Sequence, residues 1–317
     1  MDIKDRSPEK LDWLNPSFIE SKVKPLIRRP AYKILTSINH ILLSSKYRKE
    51  TNFEVDKFSL GQRGNDYAAL RRKANSIKSI KGKSIFIAGC GTGRDIPSWL
   101  SYKPKKITAV DYFNYQKSWN FLKKIFKQKW PNTKVEFFQA DLENLSQFRP
   151  ESYDFISSDA VLEHATNLER VINEFYKILK KDGLLYSTFG PIWSGYHGDH
   201  FSGWDEIENG YNHLILDKES YRKYLESREY FGHSEDDGRT WIENNLFSYL
   251  RPSDYIDLLE KANFTKMFTK ILIEPNALKC FKKRSDIKEK LLKQYLLMDL
   301  LITGMSIFFK KSDKTII

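Results

Sequence analysis

Three glycines that alternate after a short apolar run could bring the backbone against a ligand. They lie in the stretch SIFIAGCGTG as Gly89, Gly91 and Gly93. Glycines at the end of a strand let the chain turn tightly and approach a ligand closely. The stretch is not a P-loop because GK[ST] is absent, and its G-x-G-x-G spacing differs from the G-x-G-x-x-G of dinucleotide-binding proteins. The glycines alone leave the ligand open.

Aspartates that follow the next apolar runs narrow the choice. Asp111 comes 18 residues after Gly93, where a carboxylate can accept hydrogen bonds from two ribose hydroxyls and disfavours a 2′-phosphate. Asp141 follows the third run and can accept from an adenine amine, with Leu142 packed on the base. Asp159 follows the fourth run. The plainer alternatives are that Asp111 starts a turn and that Asp141 caps a helix.

A second polar group lies in the stretch PIWSGYHGDHFSGW, directly after the fifth apolar run. It contains His197, Asp199 and His200 between aromatic residues. Histidine is the most frequent general base for a hydroxyl, and aromatic faces beside polar groups suit a sugar or another flat acceptor. The same side chains could instead cap loops or hold a metal ion. We expect no metal, because a third protein ligand is not evident.

Alternating strands and helices must position these residues. We predict strands at residues 84–88, 106–110, 134–139, 153–157 and 184–189, and helices at 94–101, 115–129 and 167–180. Such alternation predicts a parallel sheet covered by helices on both faces, the doubly wound α/β fold. Ligands in these folds bind beyond the carboxyl ends of the strands, where the glycines and aspartates lie.

The pattern divides the chain into three parts. Residues 1–83 are predicted to be a basic helical extension, with an amphipathic helix at 31–43 that would lie on the core or on a membrane. Residues 84–190 and 251–317 are predicted to form the core, with a late helix at 252–262, a strand directly after it and a closing strand at 305–310. Residues 191–250 are an insertion rich in aromatic residues, which predicts a folded lid that binds the acceptor.

Charge and cysteine content limit the setting. Residues 1–83 hold 19 Lys and Arg against nine Asp and Glu, so most of the net charge of +12 belongs to them. Such a segment favours an anionic partner, including a membrane surface. Two cysteines are too few for a disulfide framework. With no signal-like apolar core near Met1, we predict a cytoplasmic protein, peripheral to a membrane at most. The apolar stretch 291–309 is interrupted by charges and does not predict a membrane span.

Four stretches in this order resemble class I S-adenosylmethionine-dependent methyltransferases, in the broad group that acts on small molecules and sugars. They read FIAGCGTG, VDYF, QADLENL and YDFISSDAVLEH…ILKKDGLLYST, within about residues 84–190. RPSDYIDLLEKANF and DLLITGMSIFFKK extend the resemblance more loosely. It implies a Rossmann-like seven-stranded sheet and S-adenosyl-L-methionine as the cofactor. It says little about the acceptor.

The resemblance also implies roles for single residues. The glycines would pass beneath the methionyl and ribose parts of the cofactor, Asp111 would hold the ribose, and Asp159 would lie near the methionyl end. Those around the adenine would be Tyr112, Asp141 and Leu142. Ile87 departs from the family, which has an acidic residue two positions before the first glycine. We expect Asp95 or Asp159 to replace that carboxylate.

The resulting hypothesis is methyl transfer to an oxygen, most plausibly a sugar hydroxyl of a polysaccharide, glycolipid or small molecule. His197 and His200 are the candidate bases, and His164 is interpreted as structural or as a neighbour of the cofactor. Arg63 or Tyr67 are candidates to cover the cofactor carboxylate. The alternatives are a non-catalytic cofactor-binding module and a nucleic-acid methyltransferase. The second is disfavoured because neither an RNA-binding module nor the Asn/Asp-Pro-Pro-aromatic motif is present.

Overall fold

Eight strands form one sheet. The computed structural model describes residues 4–11, 45–51, 53–60, 67–227 and 238–312, with the backbone alone at 60 and 238–240. The strands are β1 Lys57–Leu60, β2 Ser84–Ala88, β3 Lys106–Asp111, β4 Lys134–Gln139, β5 Tyr153–Asp159, β6 Leu179–Phe189, β7 Phe264–Ile273 and β8 Ile302–Lys311.

Helices join these strands and cover the sheet. They are α1 Tyr67–Ile77, α2 Ile96–Leu100, α3 Gln116–Lys129, α4 Leu168–Ile178, α5 Asn212–Ile215, α6 Lys218–Glu226, α7 Gly238–Glu243, α8 Pro252–Lys261, α9 Pro275–Lys283, α10 Ser285–Leu291 and α11 Leu297–Leu301. Helix α4 shows why the sequence folds this way. Val171, Ile172, Phe175 and Ile178 recur at helical spacing and are buried. The side chain of Asn167 caps the helix by accepting from the Arg170 backbone N–H.

The strand order is β1-β7-β8-β6-β5-β2-β3-β4. Among the described strands only β8 is antiparallel to its neighbours; the others run parallel to one another. Two apolar clusters cover the sheet, one on the side of Phe86 and one on the side of Ile85. The doubly wound α/β fold and its seven predicted strands are confirmed. The order reverses at β2, between β3 and β5, which is where such sheets bind ligands.

The structure adds an eighth strand that the sequence did not predict. Strand β1 lies in the extension predicted to be helical and pairs with the edge of β7, for example Lys57 with Lys270. Its strand conformation comes from this pairing, because four residues carry too little pattern of their own. The closing strand also begins at Ile302, three residues earlier than predicted. The predicted amphipathic helix at 31–43 lies outside the described residues.

The described part of the insertion, 191–227 and 238–250, is folded onto the core. The Ile192 N–H donates to the Thr303 carbonyl at 2.9 Å, and the Tyr211 hydroxyl donates to the Leu300 carbonyl at 2.7 Å. The first bond holds the start of the insertion against β8. The second holds its middle against α11, the helix that precedes β8. In the described ranges, no helix has the length and apolar character that crossing a bilayer requires.

Candidate active site

A cavity of about 560 Å³ lies at the carboxyl ends of β2, β3, β4 and β5, at the reversal of strand order. Its walls come from the loops after these strands and from the insertion. The residues that line the cavity include Gly89, Gly91, Asp111, Tyr112, Asp141, Leu142, Glu143, Val161, His164, His200 and Trp241. Cavities of this size in such folds bind small molecules and cofactors.

The glycine loop after β2 forms the floor of the cavity. Gly89, Gly91 and Gly93 all have positive φ angles, of 69°, 49° and 93°. A side chain at Gly91 would meet no atom within 4 Å, so this glycine leaves open space at the cavity. Gly93 does not line the cavity; it is packed against Leu122 and Phe137. Two of the three predicted glycines therefore face the cavity, and the third lets helix and strand approach.

The carboxylate of Asp111 holds this loop in place. Its Oδ2 accepts from the Gly91 N–H at 2.7 Å, and its Oδ1 accepts from the Phe113 N–H at 3.0 Å. The indole Nε1 of Trp119 donates to the Gly91 carbonyl at 2.8 Å from the other side. Asp111 lines the cavity while only 8% of its surface is exposed. The Asp111 carboxylate therefore supports the glycine loop from the end of β3.

Replacing Gly89 with alanine is expected to destabilise the fold more than the same change at Gly82. Both glycines have φ near +70°, which costs any other residue about 1–2 kcal/mol. The new Cβ at position 89 would lie 2.1 Å from Val161 Cγ2, whereas at 82 it meets nothing within 4 Å. Overpacking adds about 1–3 kcal/mol at Gly89 alone. Equal losses in urea unfolding for Gly89→Ala and Gly82→Ala would contradict this.

One end of the cavity is polar and acidic. Tyr112, Asp141, Leu142 and Glu143 line it beyond β3 and β4, and Asp141 Oδ1 accepts the Glu143 N–H at 2.9 Å. Among the described residues that line the cavity there is no lysine or arginine. With Asp111, three acidic residues therefore line a cavity that has neither lysine nor arginine in its described wall. This arrangement suits a ligand that carries positive charge.

The other end of the cavity is formed by two histidines and a tryptophan. The ring of His164 stacks on Trp241, with centroids 4.1 Å apart, and lies 4.8 Å from the ring of His200. The His164 Nδ1–H donates to the Leu246 carbonyl at 2.9 Å, which leaves Nε2 with a lone pair. The Nε2 of His200 is buried and has no hydrogen-bond partner among the described residues.

Glu163 lies beside this histidine pair and is 1% exposed. Its Oε1 accepts from the Gly190 N–H at 2.9 Å, and its Oε2 is buried without a described hydrogen-bond partner. Burial raises the pKa of Glu163 to about 7 and lowers the pKa of His164 to about 4. Burial and the neighbouring His164 hold the pKa of His200 well below its usual value. Both imidazoles are thus neutral at pH 7 and offer lone pairs.

His197 and Asp199, the other polar residues of the insertion stretch, do not line the cavity. The His197 Nδ1–H donates to the Ser202 carbonyl at 2.6 Å. Fully buried Asp199 accepts from the Ser202 and Tyr221 hydroxyls at 2.6 and 2.7 Å. These bonds hold the loop that carries His200. The sequence did not distinguish His197 from His200 as the candidate base. In the structure His200 lines the cavity and His197 does not.

Asp159 also lies away from the cavity wall. Its Oδ2 accepts from Arg71 Nη2 at 2.7 Å, and its Oδ1 accepts from the Tyr186 hydroxyl at 2.9 Å. Arg71 also pairs with Asp95 at 3.0 Å, so the two carboxylates expected to replace the missing acidic residue are joined by one guanidinium. Burial raises the pKa of Asp159 to about 6, against the opposing effect of Arg71. Ile87 is 4% exposed and belongs to an apolar cluster.

Replacing Arg71 with alanine is expected to lower the free energy of unfolding by about 3–5 kcal/mol, because it leaves the Asp159 carboxylate buried without its cation. The double variant Arg71→Ala/Asp159→Asn should recover part of the loss, since the neutral amide needs no counter-ion. Arg72→Ala, at an exposed position on the same helix, is the control. Urea unfolding measures all three. A loss below about 1 kcal/mol for Arg71→Ala would contradict the ion pair's role.

Several residues of the site were missed or undervalued from the sequence. His164 was noted in LEH, but its stacking on Trp241, 77 positions later, left no local signal. Arg71 is one of three consecutive basic residues, and nothing in the sequence distinguished it, although it is 5% exposed. Tyr67, a candidate to cover a ligand, is 41% exposed, and Arg63 lies outside the described residues. Only long-range packing assigns these residues.

Comparisons with known proteins match the part of the chain that carries the glycine loop. The family described as "Methyltransferase domain" matches residues 87–187, from β2 to β6. The "Probable S-adenosylmethionine-dependent methyltransferase CRG1" of Saccharomyces cerevisiae is 30% identical over 48% of this chain and 50% of its own length. The malonyl-[acyl-carrier protein] O-methyltransferase of Bacillus cereus is 35% identical over 38% of this chain and 42% of its own.

A third relative has a different named activity. The ubiquinone/menaquinone biosynthesis C-methyltransferase UbiE of Campylobacter jejuni is 26% identical over 38% of this chain and 52% of its own length. The chain thus spans about half the length of the curated relatives it matches. Solved structures align over 77–79% of this chain, with 11–16% identity and TM-scores of 0.43–0.49. Residues 87–187 thus form a class I S-adenosylmethionine-dependent methyltransferase domain.

Proposed function

We propose that this protein transfers the methyl group of S-adenosylmethionine to a hydroxyl oxygen of a small molecule bound between the glycine loop and His200. One observation carries the proposal. A single cavity is lined both by the loop after β2 and by His200, whose buried Nε2 has no described hydrogen-bond partner. The methyltransferase match supports the cofactor. The activity of the whole protein and its acceptor are our inference.

The residues at the polar end fit the cofactor. The open space above Gly91 leaves room for a ligand against the backbone. Tyr112, Asp141 and Leu142 would hold the adenine, and Asp111 would face the ribose, as the resemblance implies. When bound, S-adenosylmethionine supplies a methyl group on a positively charged sulfur. The three carboxyl groups around the cavity complement that positive charge.

The histidine end would bind the acceptor. His200 lines the cavity, and its Nε2, which is buried without a described hydrogen-bond partner, would take the hydroxyl proton. The insertion and the stacked ring of Trp241 would exclude water from the hydroxyl. These residues would therefore align the acceptor, accept its proton and close the site.

The wall of the cavity favours an uncharged acceptor with a flat face. A carboxylate acceptor would find no lysine or arginine among the described lining residues, whereas a hydroxyl needs only a proton acceptor. The Trp241 ring can pack against a sugar or another ring. We therefore propose that the acceptor is a hydroxylated ring, either in a small molecule or as part of a glycan or glycolipid. Carbon methylation is the second candidate, because one relative is named as a C-methyltransferase.

A screen with methyl-labelled S-adenosylmethionine tests the proposal. Sugars, nucleotide sugars, glycolipids, carboxylates and activated carbon acids are offered to the full chain, and the labelled product is located by carbon NMR. The expected product carries the methyl group on a hydroxyl oxygen. Transfer only to carbon or to a carboxylate would overturn the oxygen assignment while leaving the cofactor site standing.

The labelled-methyl screen and a nucleic-acid binding assay distinguish two other functions. A non-catalytic module would bind S-adenosylmethionine without transferring its methyl group to any acceptor in the screen. A nucleic-acid enzyme would bind RNA or DNA with an affinity that falls steeply with salt. Contact of the basic residues 1–83 with an anionic membrane is a prediction from charge that vesicle sedimentation can test, and a cytoplasmic location stays a prediction from the sequence.

A further inference from the structure

We infer that Glu163, His164 and His200 bind one divalent transition-metal ion of the zinc type at the acceptor end of the cavity. One donor atom from each residue lies within 4.8 Å of the other two. Two of the residues come from the turn after β5, and the third comes from the insertion. Metal binding needs nothing from the proposed function; only the use of the ion in methyl transfer rests on it.

Two of the three residues carry a buried polar atom that lacks the hydrogen-bond partner burial normally demands. Glu163 Oε2 and His200 Nε2 are both buried, and neither has a hydrogen bond to a described residue. A buried polar atom without a partner costs about 1–3 kcal/mol, so such atoms usually mark a ligand, a water or an ion. Here both orphaned atoms belong to the same cluster. A cation between them would satisfy both at once.

The remaining atoms of the cluster are held as ligands of a metal are usually held. The Leu246 carbonyl accepts the His164 Nδ1–H, which fixes the tautomer that leaves Nε2 free. The Gly190 N–H binds Glu163 Oε1 and leaves Oε2 for the ion. Backbone groups from two different loops therefore orient two of the ligands, which a chance encounter of side chains would not require.

The donor set selects the kind of ion. Two imidazole nitrogens and one carboxylate oxygen suit zinc and its neighbours, whereas calcium and magnesium prefer oxygen ligands alone. Bonds of about 2.0–2.2 Å would place ligand atoms roughly 3.5 Å apart, so the cluster must contract by about 1 Å. Rotation of the His200 ring, whose Nε2 has no described partner, would have to supply most of that distance.

Three protein ligands leave a coordination position open, as in catalytic zinc sites. His164 and His200 both line the cavity, so this position faces the acceptor. A hydroxyl bound there would have a lowered pKa and would lose its proton to water. With the ion present, His200 would be a metal ligand. The metal ion, rather than the free His200 imidazole, would then activate the acceptor hydroxyl.

Calorimetry on the untagged, chelator-treated full chain tests this inference. Zinc is expected to bind at about one ion per chain, and magnesium much more weakly. Glu163→Gln and His200→Asn should each weaken zinc binding by more than about 100-fold. His197→Asn, outside the cluster, should stay within about threefold of the wild type. Cobalt absorption spectra of the same variants give a second readout.

Titration with S-adenosylhomocysteine in every variant reports whether the domain is folded and separates the two hypotheses. Zinc binding that is absent, or equal in Glu163→Gln and His197→Asn, overturns the metal site. If S-adenosylhomocysteine still binds in that case, the proposed function stands and His200 acts as a free base. Zinc binding without S-adenosylhomocysteine binding overturns the proposed function instead.

Discussion

Replacing Asp111 with asparagine is expected to weaken S-adenosylhomocysteine binding by about 10- to 150-fold, which corresponds to about 1.5–3 kcal/mol for a hydrogen bond to a charged group. The carboxylate accepts from the backbone N–H groups of Gly91 and Phe113, and it faces the cavity. An asparagine would turn its NH₂ group against one of those donors and would remove the negative charge. The loop and its ligand would both lose support.

Asp154→Asn is the matched control for this variant. Its carboxylate also accepts a backbone N–H, that of Ser84 at 3.0 Å, but at the amino end of β2, away from the cavity. The change should affect stability and leave binding within about threefold. Calorimetric titration of both variants decides the matter. Equal binding by Asp111→Asn and wild type would show that the loop does not hold the cofactor.

Replacing His200 with asparagine is expected to lower turnover by about 100- to 10,000-fold, the range for a lost proton acceptor. Asparagine suits this test because His200 has a φ of 65°, and asparagine tolerates the left-handed conformation better than alanine does. The basic nitrogen is removed while the loop keeps its shape. S-adenosylhomocysteine binding should stay within about threefold of the wild type.

His197→Asn is the matched control, since His197 has a φ of 64° and lies three residues away. Its ring bonds the Ser202 carbonyl and does not line the cavity. We expect turnover to fall by less than about tenfold, through small movements of the loop. Initial rates are measured with the acceptor that the labelled-methyl screen selects. A larger loss for His197→Asn than for His200→Asn would exchange their roles.

Much of the fold could be predicted from the sequence because its strands are apolar and short. SIFIA and KITAVD are buried along almost their whole length, as strands inside a covered parallel sheet must be. Strand β1 could not be predicted in the same way. Its four residues, KFSL, become a strand only by pairing with β7, more than 200 positions later in the chain.

The site was predicted in part, and the division has a physical reason. Asp111 and Asp141 follow their strands directly, so their positions at the cavity follow from the fold. Asp159 also follows a strand, yet it turns to Arg71, which lies 88 positions earlier and is brought there by helix α1. The spacing in the sequence does not indicate whether a carboxylate at the end of a strand lies at the cavity or turns to a neighbouring helix.

The histidine cluster shows the same limit. The sequence placed a histidine site after β6 and interpreted His164 as structural. The structure brings His164 and His200 together because the insertion folds back over the turn after β5, with Trp241 packed on His164. Glu163 is held by a hydrogen bond from the Gly190 N–H, directly after β6. Contacts between three separate loops created this cluster.

Calorimetric titration of the full chain with S-adenosylhomocysteine tests the central claim, that the cavity at the carboxyl ends of β2 and β3 is the cofactor site. We predict about one binding site per chain with micromolar affinity, and displacement of S-adenosylhomocysteine by S-adenosylmethionine. Absence of binding at about 1 mM ligand, or unchanged binding in Asp111→Asn, would contradict the claim.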